Sequence, residues 1–195
     1  QGDGGNIIKD PDRDTELPTN IDTTPVIRKI DKTARGGITK TTAITSLPSS
    51  SVTLDNSGKN LQYYNKQDGK FYKIDSQGNA ITLSEKVFHN VENVTWSPAK
   101  NKAILEYPDG ANIIYDFDSK KQISLPKHWE DFDFSVTGSN IVAKSIGLDP
   151  HNRWLITSNS NGANSQKIEM IGINADSVQS TWSPNNQIIA THIEG

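Results

Sequence analysis

From Ser50 to the end of the chain, short apolar runs alternate with polar turns. Val52-Thr53-Leu54-Asp55 is closed by Asn56-Ser57-Gly58, and Leu61-Gln62-Tyr63-Tyr64 by Lys66-Gln67-Asp68-Gly69. Lys70-Phe71-Tyr72-Lys73-Ile74 runs into Asp75-Ser76-Gln77-Gly78, and Ala80-Ile81-Thr82-Leu83 ends the group. Runs this short are rich in β-branched and aromatic residues, and Gly, Asn and Asp lie between them. They read as strands of an up-and-down meander, since helices need longer periodic segments.

The group then repeats. Thr53 and Thr95 are 42 residues apart, Asp68-Gly69 and Asp109-Gly110 are 41 apart, and Phe71-Tyr72 falls 43 before Ile114-Tyr115. Ile74-Asp75-Ser76 matches Phe117-Asp118-Ser119 at 43, and Thr82-Leu83 matches Ser124-Leu125 at 42. Val94-Thr95-Trp96-Ser97-Pro98 returns as Ser180-Thr181-Trp182-Ser183-Pro184, 86 residues later, or two periods of 43. Each copy leads into an apolar strand, Lys102-Ala103-Ile104-Leu105 or Gln187-Ile188-Ile189-Ala190. A third unit lacks the Trp-Ser-Pro triplet and has Phe134-Ser135-Val136 in its place. A period in the low forties with four strands per unit predicts an all-β fold, a β-propeller of four-stranded antiparallel blades. The blades are expected at about 50–86, 91–127 and 131–172, with a partial one at 178–195, so about three and a half blades of an incomplete ring. In the triplet the expected roles are structural. Trp96 and Trp182 offer a stiff surface to the neighbouring blade, the serine bonds the turn, and Pro98 and Pro184 mark the strand exit.

Residues 1–25 carry charge, Gly and Pro without apolar periodicity and predict a disordered polar linker ahead of a propeller domain over 26–195. Asp10, Asp12 and Asp14 alternate like the start of an EF-hand loop, but Thr15 and Ile21 stand where Gly and Glu are needed, which argues against calcium. Val26–Ile30 and Ile38–Thr45 are two further candidate strands, able to complete the last blade. The chain begins at Gln1, which suggests a processed start.

Composition narrows the function. The net charge is −3 and the basic residues are scattered, so no nucleic-acid footprint is expected. Mean hydropathy is −0.62 and no run is long enough to span a bilayer. Cysteine is absent, which leaves neither disulfides nor thiolate metal sites. The four histidines, His89, His128, His151 and His192, are not spaced as chelating pairs, so no metal and no cofactor is expected. Neither a Gly-x-Ser-x-Gly elbow nor a phosphate-binding glycine loop occurs, and no catalytic residue is assigned. Asp131 and Asp133 share a strand face but do not by themselves make a glycosidase pair. Polar functionality is densest at His128-Trp129-Glu130-Asp131, between the second and third units. His128, Trp129 and Asp131 are therefore candidate binding residues, set against an ordinary connector with a partly buried Trp. His151 and Arg153, in an enlarged hairpin loop, are candidates for contact with a partner.

The segments Trp96-Ser97-Pro98 to Leu105 and Trp182-Ser183-Pro184 to Ala190 resemble the TolB-like, WD-like propeller repeat of bacteria, as do the turns Asp75-Ser76-Gln77-Gly78 and Asp118-Ser119-Lys120-Lys121. The resemblance covers roughly 50–195. Ala99-Lys100 and Asn185-Asn186 stand where that repeat has Asp-Gly, and only the asparagines suit a left-handed turn. It implies an exported or envelope-associated, extracytoplasmic protein. The expected role is a non-catalytic binding or scaffold platform whose partner is a protein or a cell-envelope polymer. The alternative is the gating propeller of a peptidase or hydrolase whose catalytic part lies outside this chain.

Overall fold

A computed structural model describes residues 48–192 of the chain. The linker expected over 1–25 and the candidate strands Val26–Ile30 and Ile38–Thr45 lie outside the described residues. The first blade is β1 (Ser49–Leu54), β2 (Leu61–Asn65), β3 (Lys70–Ile74) and β4 (Ala80–Thr82). The second is β5 (Asn93–Trp96), β6 (Lys102–Glu106), β7 (Asn112–Asp116) and β8 (Lys121–Leu125). The third is β9 (Trp129–Phe134), β10 (Asn140–Ile146), β11 (Arg153–Asn159) and β12 (Gln166–Met170), and β13 (Val178–Trp182) with β14 (Ile188–His192) opens a fourth. Every sheet is antiparallel and ordered by sequence, three of four strands and one of two. The first strands of successive sheets neighbour one another, β1 beside β5, β5 beside β9 and β9 beside β13. The described residues thus form an unclosed ring of three and a half propeller blades, with β1, β5, β9 and β13 innermost.

Three apolar seams hold the blades together. Between the first and second, Tyr64 and Phe71 meet Leu105, Ile113, Tyr115 and Phe117. Between the second and third, Ile104, Ile114 and Leu125 meet Trp129, Phe132, Phe134, Ile141 and Ile156. Between the third and fourth, Val142, Leu155, Ile171 and Ala175 meet Val178. Residues adjacent along β6, β7 and β10 therefore serve opposite seams, because side chains alternate across a strand. Ile104 faces forward and Leu105 back. This is why the middle strands read as unbroken apolar runs. The 43-residue offset pairs Phe71 with Ile114, and each faces the following blade.

Trp96 stacks on Phe117 at 5.3 Å and meets the Phe71 ring edge-on, while its indole N–H donates to the Ser51 carbonyl of β1 (2.8 Å). Trp182 packs against the third seam. Pro98 is exposed and lies against the turn at Gly138; Pro184 is exposed as well.

A serine closes this turn in the same way in the second, third and fourth units. The Ser97, Ser135 and Ser183 hydroxyls accept from the amides of Lys102, Asn140 and Gln187 at 3.2, 3.0 and 3.1 Å. Asp55 takes this place in the first blade and accepts from Ser57 and Asn60. Three residues on, the backbone is left-handed in every unit: Gly58 at φ 69°, Lys100 at 59°, Gly138 at 71° and Asn186 at 66°. Lys100 thus occupies the position that the departure from Asp-Gly made doubtful.

One alignment shifts. The turn after the third strand is bonded by Asp75 in the first blade but by Asp116 in the second, which accepts from the amides of Asp118 and Ser119 at 3.0 and 2.8 Å. Asp118, selected by the repeat offset, instead accepts from the Asn101 side chain. Phe117 points into the first seam, so the polar turn begins before it. The third blade starts at Trp129, two residues earlier than the repeat suggested. No helix among the described residues is long and apolar enough to cross a membrane.

Candidate functional site: a cleft along the inner strands

A cleft of about 840 Å³ opens beside β5, β9 and β13. The ends of β6 and β10 and the connector before β9 complete its wall. Its charged lining is Glu92, Glu106, Lys127, Glu130, Asp131, Lys144 and Asp176, with His128, Asn112 and Gln179 among the polar groups.

β9 shapes this wall. Its register with β10 slips between Val142 and Lys144, and Asp131 at that bulge has φ 56°. β1 carries an equivalent bulge, with Ser51 at φ 53°. An acidic residue adopts such a conformation at a cost and needs its neighbours to hold it there. Here they do. The Asp131 amide donates to Glu106 Oε1 at 3.2 Å, its Oδ2 accepts from the Ser180 amide at 2.8 Å, and its carbonyl accepts from the Ser180 hydroxyl. Two residues along, Asp133 Oδ2 accepts from the Trp182 amide (2.7 Å) and the Thr181 hydroxyl (3.0 Å). The shared strand face of Asp131 and Asp133 therefore has a structural use. Their carboxylates bond N–H groups of β13, on the edge away from β14, and so attach the fourth sheet to the third blade.

Lys144 is buried and its ammonium is fully engaged. It lies 3.3 Å from Glu130, 3.7 Å from Asp131, and donates to the Ala175 carbonyl at 3.1 Å. A buried cation needs such partners. Asn112, also buried, donates to the Trp129 carbonyl at 2.6 Å. Glu106 differs from these. Among the described residues no cation pairs with it, and it is half-buried. Burial, aided by the charges of Asp131, Glu130 and Glu92, pushes its carboxyl up to about 7.

The structure divides the residues singled out in the sequence. His128, Trp129 and Asp131 come together at the cleft. The Trp129 ring is buried in the second seam, so the wall takes little more than its edge and backbone. His151 and Arg153 lie apart from the cleft. The His151 amide is bonded by Asp149 at the start of a 3₁₀ turn (Pro150–Asn152), and Arg153 Nε donates to the Gly147 carbonyl. Sequence reasoning missed Glu106, Lys144 and Glu92. The one signal for the first two was a charge closing or interrupting an apolar strand, in Ala103-Ile104-Leu105-Glu106 and Ile141-Val142-Ala143-Lys144.

Set against solved structures, the described fold superimposes on parts of longer chains. TolB from Acinetobacter baumannii matches with a TM-score of 0.54 at 13% identity, over 75% of this chain and 38% of that one. The fold is a TolB-like β-propeller. An oligogalacturonate lyase from Vibrio parahaemolyticus matches with a TM-score of 0.55 at 11% identity, over 73% of this chain and 44% of the lyase. Kuenenia stuttgartiensis hydrazine synthase matches with a TM-score of 0.50 at 16% identity, over 80% of this chain and 45% of that one. The chain thus spans less than half of each. No protein-family model matches it, and no curated protein sequence matches it.

Proposed function

We propose that this TolB-like propeller is a non-catalytic binding module outside the cytoplasm, and that the inner-strand cleft receives a segment of a partner protein. The observation that carries this reading is how the wall's charges are used. Asp131 and Lys144 are spent on holding the third blade and its neighbours together, so a ligand meets chiefly the exposed groups Glu92, Glu130 and Asp176, with Lys127 and His128 at the connector. Acids outnumber bases there, which favours a segment carrying Lys or Arg. The TolB-like repeat supports placement in the bacterial envelope.

Panning the chain against a random peptide library tests the reading. Enriched sequences are expected to carry Lys or Arg and to lose affinity at least tenfold when Glu92→Lys and Asp176→Lys are combined. Both positions are exposed, so the change leaves the fold intact. Enrichment that ignores this pair would overturn the assignment of the cleft.

A further inference from the structure

We infer that Leu148 and Ile173 form an apolar shelf beside the cleft mouth, which receives one large aliphatic or aromatic side chain of the partner segment. The inference rests on the proposed function and sharpens it: the segment carries a Lys or Arg for the cleft and an apolar residue for the shelf.

Among the described residues these are the two most exposed large apolar side chains, Leu148 fully so and Ile173 to 76%. Apolar residues scattered singly over a surface are ordinary. These two are not scattered. Leu148 precedes the 3₁₀ turn Pro150–Asn152, Ile173 belongs to the 3₁₀ turn Gly172–Ser177, and the two turns lie against each other. Both lead out of the cleft wall. Ile146 and Asp176 line the cleft, two residues before Leu148 and three after Ile173. Side chains three apart in a 3₁₀ turn eclipse, so Ile173 shares the side of Asp176.

The turns are fixed in place. Arg153 Nε donates to the Gly147 carbonyl at 3.3 Å, the Asn152 amide to the Asp149 carbonyl at 2.8 Å, and the His151 amide to Asp149 Oδ1 at 2.9 Å. A Cβ on Gly147 would meet the Asn152 carbonyl oxygen at 2.4 Å, so the loop closes this tightly only with glycine there. Just before it, the Ile146 amide bonds the His128 carbonyl at 2.7 Å. In the second turn Ile171 and Ala175 are buried, and the Asn174 amide donates to the Ile171 carbonyl at 3.1 Å. Loops held at so many points present their apolar side chains ready-made, and a partner that covers them orders little.

Charge selects the occupant. Asp149 and Asp176 flank the shelf, and Glu130 and Glu92 continue the acidic surface along the cleft. Of the bases nearby, Lys127 pairs with Asp109 at 3.4 Å and Arg153 is held by the Gly147 carbonyl. Such a surround repels anionic lipid headgroups and favours an apolar side chain accompanied by Lys or Arg.

The test measures binding of two synthetic peptide series to the chain by fluorescence polarisation. One series is Ser-Gly peptides carrying a single Arg; the other adds one Leu, Ile or Phe, walked along the same peptides. At its best position the apolar residue is expected to tighten binding by about tenfold or more, as covering a leucine side chain allows. In Leu148→Ser combined with Ile173→Ser that gain should vanish while the Arg-only peptides bind as before. An unchanged thermal melt checks that this double variant keeps its fold. Glu92→Lys should weaken both series and leave their ratio. No gain at any position, or a gain that survives the double variant, overturns the shelf, and Arg-only binding that still falls with Glu92→Lys then retains the cleft. A gain lost in the double variant but indifferent to Glu92→Lys retains the shelf and sinks the cleft assignment. Sedimentation with phosphatidylglycerol vesicles, lost in the double variant, would give the shelf to a lipid surface and overturn the inference. Binding by neither series overturns both.

Discussion

Lys100→Gly tests the turn chemistry that all four repeats share. Lys100 sits at φ 59° with its amide bonded to the Ser97 carbonyl at 2.9 Å, in the place that Gly58, Gly138 and Asn186 take in the other turns. A left-handed backbone costs a residue with an ordinary side chain about 1–2 kcal/mol. Burial also disfavours the lysine's charge, lowering its pKa. Glycine removes both penalties and brings back about 0.5–1 kcal/mol of unfolded-state freedom. The net expectation is a gain of about 0.5–1 kcal/mol. That corresponds to a melting temperature higher by roughly 2 °C for a chain of this size. Urea unfolding followed by tryptophan fluorescence, with thermal melts alongside, reads it. Gly138→Lys is the mirror experiment and should cost about 1–2 kcal/mol, because it installs in the third blade the strain already present in the second. If Lys100→Gly destabilised the chain, the lysine stem would be worth more to packing than the turn loses in strain. The energetic equivalence of the four turns would then be refuted.

Other outcomes follow from the same structure. Phe71→Ala empties a fully buried site ringed by Tyr64, Phe88, Trp96 and Phe117, and should cost about 3–5 kcal/mol in urea unfolding. A cost under about 1 kcal/mol would mean that the first seam is not where stability resides. Asp133→Ala releases the Trp182 amide and the Thr181 hydroxyl, so the two-stranded sheet should exchange amide hydrogen at least tenfold faster at Trp182 while the first blade is unaffected. Uniform acceleration across the blades would contradict a local role. Stability should fall as pH rises from about 5 to 8. Between the unfolded glutamate value and the folded value of about 7, the native state keeps a proton on Glu106 that the unfolded chain has lost. The ceiling for this term is about 3 kcal/mol, discounted to about 1–2 because the group is open on one side. In Glu106→Gln the slope should flatten. The acid limb has the opposite sign. The Asn79 side chain and amide hold Asp75 below the usual carboxylate range, so its contribution is lost as pH falls below that range.

The blades were legible from residue identity alone, because a strand's side chains alternate and a turn's chemistry is local. Gly58 announces a tight turn, Asp75 announces a hairpin, and Phe71 with Ile114 keeps its offset because each must face forward. The serine of Trp-Ser-Pro could be read as a turn residue because the amide that donates to it lies only four or five residues on. The cleft could not be read this way. Glu106, Asp131 and Ser180 are far apart in sequence and meet only when three blades stand side by side. Asp131 has a strained backbone because a bulge in β9 turns it, and nothing in Glu130-Asp131-Phe132 signals a bulge. Periodicity specifies what each strand does to its own neighbours. Which charges end up sharing one desolvated wall depends on how the sheets pack around a common axis. That packing sets distance, burial and dielectric, and with them whether Glu106 holds its proton.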